Sequence, residues 1–224
     1  SLLKFLILHF SLLFISRKFI DIFNNTIKIE SSAPTCEYGR EEYSTAAIRI
    51  ADYNAKPGDG EGAFGNRVFN NDIHVKILNF KEPAEYIPMS WAVFYSASGG
   101  NNDIFGNLIN VEHTEPDSKA RGAAFYITGG TDGYGGRFFN NRITSNIPAV
   151  WLAGQYGGSV NTEVLNNIFE KAPGVKDNYA PVKIGFGNRK GSVARNITFR
   201  SNVVLNDTFS IQQSNADHSY SVYS

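Results

Sequence analysis

The stretch Phe23-Asn24-Asn25-Thr26-Ile27 decides the fold of this 224-residue chain, because five further copies of it follow. In each copy an apolar segment leads to an asparagine, and strand-forming residues come after it. The aligned asparagines are Asn25, Asn71, Asn107, Asn141, Asn167 and Asn202, and successive copies lie 46, 36, 34, 26 and 35 residues apart. Self-similarity at such periods is typical of solenoids, propellers and other repeat arrays. The repeat therefore predicts a stacked architecture.

A second apolar motif lies between the asparagine motifs. Each copy begins with a small residue and then alternates apolar with variable positions, which is the period-two pattern of a strand with one buried face. The copies are 47–52, 92–96, 123–127, 149–153, 181–185 and 208–212. Every repeat therefore contains at least two short strands, joined by a turn and by a loop of variable length.

The pattern favours an all-β, right-handed parallel β-helix of about six rungs with variable loops. Short strand-like runs with turn residues between them exclude a helical solenoid. The leucine framework of a leucine-rich repeat is absent, and these periods barely accommodate the four strands of a propeller blade. In a β-helix each rung supplies two or three strands and stacks on the previous rung at about 4.8 Å.

The asparagine column has a structural role in such a stack. Asn tolerates left-handed backbone angles at a tight bend. Identical Asn side chains in adjacent rungs can also bond amide to carbonyl, which satisfies polar groups that would otherwise be buried unpaired. We expect the asparagines to be scaffold, with the flanking Phe and Ile side chains pointing into the core.

The Phe-Asn-Asn-x-Ile repeat resembles the parallel β-helix repeat of the pectin-lyase-like superfamily, from about Phe19 to Ile211. That superfamily includes polysaccharide lyases, polygalacturonase-type hydrolases, phage tailspikes and non-enzymatic surface proteins. The resemblance implies the fold, a polysaccharide partner and an extracellular or cell-surface location. It transfers no catalytic residue, because Gly130-Thr131-Asp132-Gly133 matches the hydrolase signature only in part and no Arg-x-Pro segment of the pectate-lyase kind occurs.

Aligning the second motif on its small residue predicts a substrate-binding groove. Three outward aromatics on adjacent rungs lie between two cations, and the five residues are Arg49, Phe94, Phe125, Trp151 and Lys183. Rings about 5 Å apart along the axis match the spacing of sugar units, and aromatic faces suit the C–H faces of pyranose rings. The cations would pair with the uronate or sulfate groups of an acidic polysaccharide.

Two alternatives to an open groove exist. Long loops such as 53–63, 79–90 and 112–121 would turn the aromatics into a satellite core if they folded over this face. A neighbouring copy in a homo-oligomer would cover the face equally well.

Catalysis at this groove would favour elimination over hydrolysis. A lyase needs a base and a cation that stabilises enolate-like charge, and the candidates by strand position are Lys183, Arg49, Tyr156 and Arg189. A hydrolase needs two carboxylates, which the outward column lacks. No metal or other cofactor is predicted, and the one alternative is Ca²⁺ at the acidic turns Asp59-Gly60-Glu61 or Asp132-Gly133.

Composition bounds the partners and the domain organisation. Twenty-one basic and 21 acidic residues give zero net charge, which argues against a nucleic-acid partner.

Residues 1–18 contain an apolar run too short for a stable membrane span, so an N-terminal cap or targeting remnant is expected there. Residues 19–212 form the β-helix domain and 213–224 a polar tail. Because that tail caps the stack poorly, self-association or continuation of the β-helix is also expected.

Two functions follow from these patterns. The first is an extracellular carbohydrate-active or carbohydrate-binding β-helix, and a polysaccharide lyase if it is an enzyme. The second is a non-enzymatic structural or surface segment, similar to an adhesin or a fibre.

Overall fold

Twenty strands and no helix make up the part of the chain that the structure describes. The structure is a computed structural model, and it describes residues 13–15, 19–31, 45–51, 63–77, 89–96, 100–114, 121–127, 135–154, 160–173, 180–185, 193–214 and 217–224. In chain order the strands are β1 (Leu13–Ile15), β2 (Asp21–Phe23), β3 (Thr26–Ser31), β4 (Thr45–Ala51), β5 (Arg67–Phe69), β6 (Asp72–Ile77), β7 (Met89–Ser96), β8 (Asp103–Phe105), β9 (Leu108–His113), β10 (Arg121–Ile127), β11 (Arg137–Phe139), β12 (Arg142–Ser145), β13 (Val150–Leu152), β14 (Glu163–Leu165), β15 (Ile168–Lys171), β16 (Val182–Ile184), β17 (Ile197–Arg200), β18 (Val203–Leu205), β19 (Ile211–Gln213) and β20 (Tyr220–Tyr223).

Three sheets run along the stack, and each rung contributes one strand to each of them. Sheet A contains β1, β4, β7, β10, β13, β16 and β19, sheet B contains β2, β5, β8, β11, β14, β17 and β20, and sheet C contains β3, β6, β9, β12, β15 and β18. Neighbouring strands pair in parallel, as β4 does with β7 and β6 with β9. The fold is a parallel β-helix of six complete rungs and two strands of a seventh, which confirms the predicted fold class.

The two ends of the chain contribute to this stack as far as they are described. Strand β1 pairs with β4, so residues 13–15 belong to the first rung. The remainder of the apolar segment 1–18 lies outside the described residues. Strand β20, within the segment predicted as a polar tail, pairs with β17 and extends sheet B.

The connections between the sheets differ in length. Every bend from sheet B to sheet C contains two residues, whereas the connection from β3 to β4 has 13 residues and that from β4 to β5 has 15. The variable spacing of the repeats therefore arises in the connections that lead to or from sheet A.

The two residues of each bend from sheet B to sheet C have different roles. The first has a left-handed backbone, with φ of 56° at Asn24, 54° at Asn70, 63° at Gly106, 54° at Asn140, 53° at Asn166 and 52° at Ser201. Asparagine and glycine tolerate this conformation best, because a larger side chain meets its own backbone there. The second residue of each bend is the asparagine of the ladder.

That second asparagine bonds to its counterpart in the next rung. Asn107 donates both its backbone N–H and its side-chain Nδ2 to Asn141 Oδ1, at 3.0 and 2.9 Å. Its Nδ2 also donates to the carbonyl of Val68 at 3.0 Å. The same pattern joins all six asparagines, and the four in the middle are buried. The predicted ladder is confirmed, and it satisfies amides that would otherwise cost about 1–3 kcal/mol each.

The core lies between the three sheets and consists of columns of inward-facing apolar side chains. One column in sheet C contains Ile27, Ile73, Ile109, Ile143, Phe169 and Val204. Burying a side chain of this size contributes about 1.5–3 kcal/mol. The expectation for the motif phenylalanine is wrong, because Ile22 points inward whereas Phe23, next to it on a three-residue strand, is exposed. Alternation along a strand forces adjacent side chains to opposite faces.

Sheet A has a different register from the one predicted at its fourth and last rungs. Phe125 pairs with Val93 and Val150, so it belongs to an inward column. Tyr126 takes the outward place between Phe94 and Trp151. The physical reason is that the chain offers two adjacent alanines, 123 and 124, and the ladder aligns the second of them with the small residues of the other rungs. At the last rung Gln212, rather than Ser210, pairs with Lys183.

Candidate functional site

The outer face of sheet A carries a buried aromatic cluster. Trp91 stacks on Tyr126 with ring centroids 4.0 Å apart, and Trp151 meets them edge-on at 5.7 and 5.4 Å. Trp91 and Tyr126 are fully buried, and Trp151 is 2% exposed. We call these three rings the outer cluster. Burial of this extent matches the satellite-core alternative rather than an open groove.

Trp151 makes one hydrogen bond and one cation–π contact at the edge of the outer cluster. Trp151 donates its Nε1–H to the carbonyl of Gly185 at 2.8 Å. The Lys183 ammonium lies 4.1 Å from the centroid of the Trp151 ring, a cation–π geometry. Arg49, in the same outward column, is only 5% exposed. Both predicted flanking cations are therefore part of the packing of this face.

The predicted row of three exposed rings is wrong at two of its positions. Phe125 points into the core, where its ring stacks on Phe138 at 4.6 Å and 4°, and Trp151 is buried in the outer cluster. The backbone of Phe94 lies in the outward column, but its side chain is outside the described part. Tyr156 and Arg189 also lie outside it, as do the acidic turns at 59–61 and 132–133.

Sheet B carries an alternating row of charges on its outer face. In register from rung to rung it contains Asp21, Arg67, Asp103, Arg137 and Glu163. Arg137 donates from Nε and Nη2 to the two oxygens of Asp103 at 2.8 and 2.6 Å, and Arg67 makes the same fork with Asp21. The Arg67 hydrogen bonds lower the pKa of Asp21, and the carboxylates raise the pKa of Arg67 and Arg137.

A stack of phenylalanines runs parallel to these charges. Phe23, Phe69, Phe105 and Phe139 follow one another with centroid distances of 5.1, 5.0 and 4.8 Å and interplanar angles of 4–8°. Sequence reasoning missed this row, although Phe precedes the Asn bend in four of the six motif copies. Because each inner ring has a neighbour on both faces, the stack presents ring edges to solvent. Sugar platforms use ring faces instead.

A cleft of about 260 Å³ lies where the strands of sheet B begin, near the bend from sheet A. It spans rungs three to five and is lined by Asn101, Asp103, Gly135, Gly136, Arg137, Asn161 and Glu163. Sequence reasoning missed it as well. The Gly135-Gly136 pair, where the neighbouring rungs have Asn101-Asn102 and Asn161-Thr162, is the signal that could have revealed it.

Ser214 and His218 lie within hydrogen-bond distance but cannot act as nucleophile and base. The backbone N–H of Ala194 donates to His218 Nδ1 at 3.1 Å, so Nδ1 is the unprotonated nitrogen. The proton is then on Nε2, which faces Ser214 Oγ at 3.2 Å. A ring nitrogen that already carries a proton cannot accept another from Ser214. The hydrogen bond from Ala194 to His218 joins the sixth rung to the seventh.

Metal-ligand clusters and membrane-spanning helices are absent from the described residues. No group of three or more His, Cys, Asp or Glu side chains there could hold a metal ion. No helix of sufficient length and apolarity to cross a membrane occurs in this part of the chain.

No match emerged when the chain was compared with protein-family models, with curated proteins and with solved structures.

Proposed function

We propose that the chain is a non-enzymatic structural β-helix of the pectin-lyase-like type, a rigid segment of an extracellular or cell-surface protein. The observation that carries this proposal is that most of the charged and aromatic side chains described on the outer faces of sheets A and B contact one another along the stack. The charges of sheet B pair between rungs and its phenylalanines stack on one another. The rings of the outer cluster on sheet A are buried. Outside the cleft at rungs three to five, these faces offer an extended polysaccharide chain few groups to bind.

The direction of these interactions suits a spacer. The three sheets, the asparagine ladder, the paired charges and the phenylalanine stack all join one rung to the next, along the same axis. Each rung adds about 4.8 Å of length and contacts only its neighbours. Bending or stretching the stack would strain every one of these ladders together.

The lyase hypothesis draws less support from the described residues. Elimination requires a base and a cation that reach the substrate. Lys183 lies over the Trp151 ring and Arg49 is nearly buried, so both are occupied in packing. A carbohydrate-binding row on sheet A would also require exposed ring faces, which Phe125 and Trp151 do not provide.

Incubation with a panel of polyuronates and sulfated glycans tests the proposal. Elimination creates an unsaturated chromophore, and hydrolysis creates new reducing ends. We expect neither product from the purified chain. Product formation that co-purifies with the wild-type chain and is lost in Lys183→Ala would overturn the structural function and restore the lyase hypothesis.

A further inference from the structure

The bend between sheets A and B has its own asparagine ladder, which the fourth rung interrupts. Asn66 donates its backbone N–H and its Nδ2 to Asn102 Oδ1, both at 2.9 Å. The residue in register on the fourth rung is Gly136, and on the fifth it is Thr162. Tyr95 reaches Asn102 from the core, and the hydrogen bond between their side chains is formed there. The ladder therefore ends at Asn102, because Gly136 has no side chain to continue it.

The backbone of the fourth rung leaves no room for a side chain at this point. A Cβ on Gly135 would lie 1.5 Å from the carbonyl oxygen of Asn161, and one on Gly136 would lie 2.9 Å from that of Asn102. The two glycines are therefore required for the rungs to approach one another. Both glycines line the cleft of about 260 Å³.

The walls of the cleft alternate acceptors with donors. Asp103, Arg137 and Glu163 project from three successive rungs on one side. Asn101 and Asn161 lie on the other side, and Asn161 is held by Asn196, whose Nδ2 donates to its Oδ1 at 3.1 Å. The fork from Arg137 fixes Asp103, so the cleft is polar and preorganised.

The charges of the cleft decide which ligands it suits. Two carboxylates against one guanidinium leave a negative balance, which disfavours an anion such as a uronate or a phosphate. A metal ion is disfavoured because Arg137 already occupies both oxygens of Asp103. Hydroxyl groups both donate and accept, and so they match a wall of alternating carboxylates, guanidinium and amides.

The geometry points to a binding site for one neutral sugar ring in this cleft. Its volume of about 260 Å³ corresponds to roughly nine waters at about 30 Å³ each, enough for a single hexose. The half-buried ring of Phe139 lies 5.3 Å from the guanidinium carbon of Arg137 and supports that side chain from outside the cleft. This site goes beyond the structural function, since a rigid spacer requires no ligand.

Saturation-transfer NMR with the intact chain tests the site. The probes are the methyl glycosides of glucose, galactose and mannose, with methyl glucuronide as the anionic comparison. We expect at least one neutral glycoside to bind and the glucuronide to bind more weakly. Glu163→Gln and Asn101→Gly should each weaken the binding about three- to tenfold, the range for losing one hydrogen bond. Glycine keeps the left-handed backbone of Asn101, φ 51°, without strain.

A matched control separates the cleft from general surface effects. Glu112→Gln removes an exposed carboxylate on sheet C, outside the cleft, and should leave the binding unchanged. The inference is overturned if no neutral glycoside binds, if the glucuronide binds as well as the neutral sugars, or if binding persists unchanged in both cleft variants. Absence of sugar binding would leave the structural function intact, because that function is tested by product formation.

Discussion

Asn71 Oδ1 accepts two hydrogen bonds from Asn25, one from the backbone nitrogen at 3.0 Å and one from the side-chain nitrogen at 3.1 Å. One oxygen thus joins both the main chain and the side chain of the preceding rung. Asn71 in turn donates the same pair to Asn107. Each asparagine is therefore an acceptor toward one end of the stack and a donor toward the other, so the ladder has a direction.

Replacing a central member should be costly because four side-chain hydrogen bonds to three residues are lost. Asn107→Ala removes the acceptor for Asn71 and the donor to Asn141 and Val68. We expect the free energy of unfolding to fall by about 2–4 kcal/mol, since buried groups are left unsatisfied. Urea denaturation measures the change. Asn110→Ala, at an exposed site on β9, the strand that follows Asn107, is the control, and equal effects at the two sites would contradict a special role for the ladder.

The left-handed residue of the bend should tolerate only residues that accept its backbone angle. Asn140 has φ 54° and is exposed, so its contribution is conformational rather than packing. Asn140→Gly should change stability little, whereas Asn140→Val should cost about 1–2 kcal/mol of strain. Thermal denaturation of the two variants compares them. Similar melting temperatures would show that the bend can relax and that its angle is not required.

The two aromatic stacks should differ in their contribution to stability. Phe125→Ala opens a cavity in the core and should cost about 3–5 kcal/mol. Phe105→Ala removes a half-buried ring from the outer stack of sheet B and should cost about 1 kcal/mol. Chemical denaturation gives both values. The opposite ranking would mean that Phe125 faces outward, as the alignment of the second motif predicts.

The seventh rung should loosen on acidification through His218. Burial lowers the pKa of His218 below its ordinary value of 6.5, and the adjacent Asp217 acts in the opposite direction. A lowered folded-state pKa means that the folded chain favours the neutral form of the His218 ring. The contribution of His218 to the free energy of unfolding is therefore complete above pH 6.5. It is lost as the pH falls from there through the folded-state pKa, because a proton on Nδ1 would oppose the Ala194 N–H.

Melting temperatures between about pH 5 and pH 7.5 measure this effect. The wild-type chain should lose stability across the acidic half of that range, and His218→Gln should show a flatter profile. An NMR titration of His218 reports its pKa directly. A wild-type profile that matches the variant, or a His218 pKa at or above its ordinary value, would contradict this role of His218.

The outward charges and rings were harder to predict than the ladder. Phe23 was expected inside because it is apolar, but its neighbour Ile22 takes the buried place on a strand of only three residues. On so short a strand, hydrophobicity alone cannot distinguish the two faces. The cleft could not be predicted for a related reason. In sequence a pair of glycines indicates only a turn, and the register of the neighbouring rungs is needed to place Gly135 and Gly136 beside Asn101 and Asn161.

The sequence by itself determined the rungs, their number and the asparagine ladder. This was possible because each bend repeats the same local demand, a left-handed residue followed by an amide that bonds to its copy in the next rung. The register of sheet A was decided only by the tertiary structure. Adjacent alanines at 123 and 124 and adjacent rings at Phe125 and Tyr126 make both alignments plausible in sequence. Pairing with Val93 and Val150 selects one of them, and with it decides which ring enters the core.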